Sequence, residues 1–343
     1  MSILLQGLLK IHPQEVAFAR RGFICFSTEI QNRLENIGHV FLRGYHAALH
    51  HADQNVLAED LNQIDLDHRG FAYEGAAMAL TLIQSIGLRR NAFSRFATGA
   101  GKQHIFMLHV GAGWAYARLP WLRWRVERVI QDLHPVLGWL AVDGYGFHEG
   151  YFHFRERLQS GHSTSGISHL SVAARHVFYQ GLGRSLWFVH GADIQKISAR
   201  ILAFPPLYHN DAWSGVGLAC AYAGGLEQNL IVELRREAGM HAPALAQGAA
   251  FAVKAREFAG NPAKHTDLAC ALLCGMGAEE AALLCDETFS RIYMLHPCPY
   301  QHWRELVQQS LSFSSGAFSS QILLRGNSHE PIDPSPVAAT KLH

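Results

Sequence analysis

Asp143-Gly144-Tyr145-Gly146-Phe147-His148-Glu149-Gly150-Tyr151-Phe152-His153-Phe154 sets three glycines, two histidines and two carboxylates among aromatic rings. A solvated helix has no need of that mixture. Glycine lets a second backbone or a ligand approach closely. Histidine beside glutamate can move a proton or help to hold a metal. A helix from about Gly146 would place Tyr145, His148, Glu149 and His153 within one or two turns of each other, at three- and four-residue spacings. Asp143 would then sit just ahead, where a carboxylate caps a helix.

The pattern recurs, weakly. Gly215-Val216-Gly217-Leu218 resembles Gly144-Tyr145-Gly146-Phe147, and Arg69-Gly70-Phe71-Ala72-Tyr73-Glu74-Gly75 resembles the segment ending at Glu149-Gly150. Phe106-Met107-Leu108-His109 matches Trp187-Phe188-Val189-His190, and each is followed by Gly-Ala. Between them the apolar spacings are those of helices. The expected helices run from Ser27-Thr28 to His50-His51, from Arg69 to Ile86, from His104 to Pro120 and from His169 to Tyr179. Three more are expected over Ala246–Phe258, His265–Gly275 and Ala278–Ile292. Period-2 alternation is scarce. The fold class predicted is all-α, with degenerate repeated units forming an α/α array around a hydrophobic cavity. One helical domain over 1–326 is expected, with a polar sub-boundary near 159–168 and a disordered, proline-bearing tail over 327–343.

Composition narrows the function. The 343 residues are 49% hydrophobic and 17% charged, with a formal net charge of +1. That is a globular chain with no basic excess for a phosphate backbone, so nucleic acid is not an expected partner. No apolar run is long enough for stable membrane insertion, and the N-terminus lacks the basic start of a signal peptide, so a cytoplasmic location is expected. The six cysteines form no CxxC pair, and Cys270 and Cys274 read as small buried hydrophobes. A P-loop, a Rossmann glycine pattern, a Gly-x-Ser-x-Gly elbow and His-Glu-x-x-His are all absent.

The candidate catalytic residues are His148 and Glu149 as an acid–base pair, oriented by Tyr145 and Asp143. Candidate substrate-binding residues are Glu74, Tyr73, His109, Trp114, His190, Asp211 and Trp213. Glu74 lies in a helix that is apolar on nearly every face. It is expected either to pair with an arginine such as Arg69 or to be a functional acid with a raised pKa. Asp211 and Ser214 read as helix caps. With 22 histidines in the chain, no single one argues for a ligand set, and no metal site is expected.

Arg20-Arg21-Gly22-Phe23, Arg69 to Ala79, His109 to Trp114, Asp143 to Phe152, Trp213 to Ala219 and Gln247 to Ala252 together resemble the domain-of-unknown-function family 1702, whose members are often labelled enediyne biosynthesis proteins. The resemblance spans about residues 16–290. It implies a role in specialised-metabolite biosynthesis on a hydrophobic, polyene- or polyketide-like intermediate, alongside biosynthetic partner enzymes. Acid–base cyclisation or isomerisation is the expected reaction, and a metal- or haem-dependent oxidation is its rival. The alternative is a non-catalytic helical scaffold or carrier for a hydrophobic metabolite or a partner enzyme. The resemblance assigns no cofactor.

Overall fold

A computed structural model of the chain describes residues 9–159 and 166–325. The expected tail over 327–343 and most of the expected boundary near 159–168 lie outside them. The described residues form helices and no strand. Among the helices are α1 (Thr28–His50), α2 (Leu66–Ser85), α3 (Ile105–Arg118), α4 (Leu140–Phe152), α5 (Val172–Val189), α6 (His209–Ala223), α7 (Ala242–Ala259), α8 (Lys264–Cys274), α9 (Ala278–Ser290) and α10 (Pro299–Arg325).

Local chemistry sets many of the boundaries. Ser27 accepts a hydrogen bond from the Ile30 N–H and starts α1, Asp65 accepts from His68 at α2, and Ser171 accepts from Ala174 at α5. Gly260 and Gly275 end α7 and α8 in the left-handed conformation.

Helices α1 to α7 stand side by side in chain order, each packed along the next. The packing depends on glycine pairs two residues apart. Such positions lie about 200° apart on a helix, so one faces each neighbour. In α4, a Cβ added at Gly144 would lie 2.0 Å from the Val110 carbonyl oxygen of α3, and one at Gly146 would lie 2.1 Å from the Phe178 carbonyl oxygen of α5. Gly111 and Gly113 do the same in α3, Gly181 and Gly183 in α5, and Gly215 and Gly217 in α6. Each carbonyl sits in a notch that only glycine leaves open, and the helices come close enough for Cα–H···O contact.

The row curls until its ends meet. Arg256 at the end of α7 donates to the Asp67 carboxylate and carbonyl of α2 and to the Tyr222 carbonyl of α6. Arg33 of α1 donates to the Ala223 carbonyl and to Asp67. Helices α8, α9 and α10 pack outside, chiefly on α7. Among the described residues no single helix is long and apolar enough to cross a membrane.

Three expectations are corrected. Helix α4 begins at Leu140, so Asp143 lies inside its first turn, fully buried, and caps nothing. Helix α6 begins at His209, so Asp211 and Ser214 are interior rather than caps. Ser214 donates to the Gln247 side chain. His109 and His190 are not equivalent: His109 lies in the first half of α3, whereas α5 runs ten residues past Tyr179 and His190 follows its last turn. The glycine pair that α3 and α5 share is Gly111/Gly113 with Gly181/Gly183, and it sets a different register.

Candidate functional site

The centre of the ring holds a buried ionic group. Arg184 of α5 places Nη2 2.7 Å from Asp143 Oδ1 of α4 and Nη1 3.8 Å from Glu74 Oε1 of α2. The Trp114 indole of α3 donates to Glu74 Oε1 at 3.0 Å, and the guanidinium lies 4.5 Å from the centre of the Phe147 ring. Glu74 thus pairs with Arg184. Arg69, the partner expected from sequence, instead donates to the Ile64 and Asn62 carbonyls. Two buried carboxylates face one guanidinium, which favours keeping a proton on the group. Burial raises the Glu74 carboxyl to about 7, against the pull of Arg184 and with help from Asp143. Burial also raises Asp143, opposed by Arg184 and Arg304.

Glu74, Trp114 and Arg184 border an apolar central cavity with Phe41, Phe71, Phe147 and Phe188. Trp114 stacks obliquely between Phe41 at 4.5 Å and Phe147 at 5.0 Å. The volume of this cavity is about 60 Å³. A drug-sized ligand needs several hundred.

The second half of α4 builds a separate group. Arg157 donates to Glu149 Oε2 through Nε at 3.0 Å and Nη2 at 2.5 Å. Arg123 comes within 3.8 Å of Oε1. Burial alone would raise this carboxyl, but His148 and Arg157 outweigh it and hold Glu149 at about 2. Burial lowers His148 to about 4, with Glu149 opposing. The two side chains face each other at 3.7 Å, beyond hydrogen-bond distance. A carboxylate held this low is a weak base, and the geometry fits a fixed ion pair better than a proton relay. Tyr145 is buried beside them, its pKa raised by burial and then by Glu149.

The other expected residues are dispersed. Tyr73 stacks on His104 at 3.9 Å and donates to Asn62, away from the cavity. Asp211 is buried between His176 Nδ1 at 2.7 Å and Arg304 Nη1 at 2.8 Å. Trp213 is buried in α6. His190 is lowered to about 4, first by burial and then by Arg200 and Lys196.

His109 alone among them borders a larger space, an apolar groove of about 690 Å³ on the outside of the ring. Its walls carry Phe93 from the short helix Ala92–Thr98, Phe106 of α3, Phe258 of α7, Phe289 of α9 and Trp303 of α10. Its polar groups are His109, His134, Asp132, Lys102, Ser94, Thr98 and the Lys254–Asp286 ion pair. His109 Nδ1 lies 2.8 Å from the Ile105 carbonyl and so carries its proton there, which leaves Nε2 an acceptor. His134 Nδ1 accepts from the Val136 and Leu137 N–H groups, so its other nitrogen is a donor. Burial lowers both pKa values. Two neutral imidazoles of opposite polarity, with ring centres 6.5 Å apart, suit a hydroxyl or carbonyl on an apolar ligand.

Sequence reading missed Arg184, Arg157, His134 and Lys254. Arg184 carried a signal, since it directly follows Gly181-Leu182-Gly183, a glycine pair of the same kind as Gly144/Gly146. The groove residues come from separate helices and share no motif. No curated protein and no solved structure matches the chain. Its sequence does match, over residues 1–311, the family described as a protein of unknown function, DUF1702, and the chain belongs to that family.

Proposed function

We propose that the protein serves specialised-metabolite biosynthesis by holding an apolar, conjugated small molecule in the outer groove between Phe106 and Trp303. The observation that carries this reading is the groove itself. Its volume of about 690 Å³ falls in the range of small-molecule sites, while the central cavity of about 60 Å³ does not. Aromatic walls favour a flat, unsaturated chain, and the two histidines supply the few convergent polar groups that fix an orientation. The buried Asp143–Arg184 pair agrees with a binding role, because a fixed ion pair between α4 and α5 holds helices together without needing a substrate. Titration with a conjugated tetraene fatty acid, read by tryptophan quenching, tests the reading. Saturable binding is expected, weakened about tenfold or more by Phe258→Asp and by Phe106→Asp. Equal binding by wild type and both variants would sink it.

One feature supports a catalytic reading: Glu74 stands on the wall of the aromatic cavity, its carboxyl pushed up to about 7 by burial. Under it, Glu74 would protonate or deprotonate an unsaturated substrate in a cyclisation or isomerisation once the rings part. In a producing cell, Glu74→Gln would abolish product under this reading and spare it under the first, while Phe258→Asp would do the reverse.

A further inference from the structure

At the C-terminal end of α4 the ligand atoms of His148, Glu149 and His153 lie within 4.8 Å of one another. Their surroundings are unusual for an ordinary ion pair. Arg157 takes only Oε2 of Glu149. Glu149 Oε1 and His148 Nδ1, both on side chains more than nine-tenths buried, have no hydrogen-bond partner among the described residues. A buried acceptor and a buried ring nitrogen left unpaired side by side is a costly arrangement. A cation between them would satisfy both.

We propose that His148, Glu149 and His153 form a binding site for a divalent first-row transition metal of the zinc or iron type. Two imidazoles and one carboxylate are the donors such ions take, with the remaining positions left to water. The His148 Nδ1–Glu149 Oε1 separation of 3.7 Å is close to the roughly 3.4 Å between donors around a tetrahedral ion with bonds of about 2.1 Å. His153 follows the last turn of α4 with a side chain 41% exposed, so it can swing inward and leaves the outer positions open to solvent. Arg157 then fixes the carboxylate through its outer oxygen, the part that hydrogen-bonding groups around a metal usually play. Arg123, 3.8 Å from Oε1, repels the ion and sets the affinity below that of a closed structural zinc site.

The chain's 22 histidines demand a test that separates this site from adventitious binding. Untagged full-length protein is titrated with Co²⁺, and the visible d–d absorption is followed before and after competition with Zn²⁺. One equivalent with the intense band of a low-coordinate N/O site is expected. His153→Ala, at a half-exposed position that leaves the core intact, should remove that equivalent. His148→Gln should do the same, with circular dichroism confirming the fold. A spectrum of hexa-aqua character, or an equivalent that survives His153→Ala, overturns the proposal.

Discussion

Arg184 Nη2 lies 2.7 Å from Asp143 Oδ1, and both side chains are sealed from water at the centre of the ring. Breaking a buried pair from one side leaves a bare charge, which costs about 3–5 kcal/mol. Arg184→Met is therefore expected to lower stability by that amount in urea unfolding. Adding Asp143→Asn and Glu74→Gln removes the stranded charges and should recover most of the loss.

Glu74 gives a pH dependence of definite sign. Its folded-state pKa is about 7 against an ordinary 4.5, so between those values the folded state keeps a proton that the unfolded state releases. This group's contribution therefore falls as pH rises from about 4.5 to 7. Melting temperature compared between wild type and Glu74→Gln over that window should show the slope in the wild type alone. Parallel curves would mean the carboxyl is ionised throughout.

Buried histidines act in the opposite direction. His104, His109 and His265 are each pushed down by burial to about 4 from 6.5. The unfolded chain takes up protons there first, so stability is lost as pH falls from about 6.5 towards 4. His104, stacked flat on Tyr73, tolerates an aromatic replacement in shape. His104→Phe should flatten the acid limb of a thermal-unfolding profile, and an unchanged limb would assign the acid sensitivity to other groups.

The glycine notches predict a sharp contrast between two identical changes. Gly146→Ala drives a methyl to 2.1 Å from the Phe178 carbonyl oxygen, whereas Gly277→Ala meets nothing within 4 Å. The first should cost about 3 kcal/mol or more, because helix backbones must separate. The second should stay within about 1 kcal/mol. Chemical denaturation of the two variants measures both.

The helices were legible because their signals are local. Ser27 and the spacing from Ile30 to Tyr45 placed α1 to within a residue, and the small-residue run at Arg69–Leu80 marked a helix buried on all sides. The error over Asp143 has a simple origin. Glycine at 144 and 146 reads as a helix start, when here it marks the tightest part of a helix interior. Helix α10 went unanticipated, its start at Pro299 following a stretch without clear period. The candidate stretch 143–154 does contain two chemically unusual groups, Asp143 and Glu149, but their partners Arg184 and Arg157 lie outside it. The groove was illegible for a stronger reason. It is a space between α3, α7, α9, α10 and a short helix, and no single segment of sequence describes it.

The glycine notches also divide the molecule by what can move. A carbonyl seated in a notch stops its helix from sliding or turning against its neighbour, so α1 to α7 must shift as one body if they shift at all. Helix α9, the short Ala92–Thr98 helix and residues 299–312 of α10 contain no glycine to receive a neighbour's carbonyl, yet they supply Phe93, Phe289 and Trp303 to the groove. The groove therefore has one wall keyed to the ring by backbone notches and one wall held to it by side chains, among them the Arg304–Asp211 and Lys254–Asp286 pairs. Displacing that wall would leave the notches of α1 to α7 untouched, whereas the central cavity is lined mainly by the notched helices themselves.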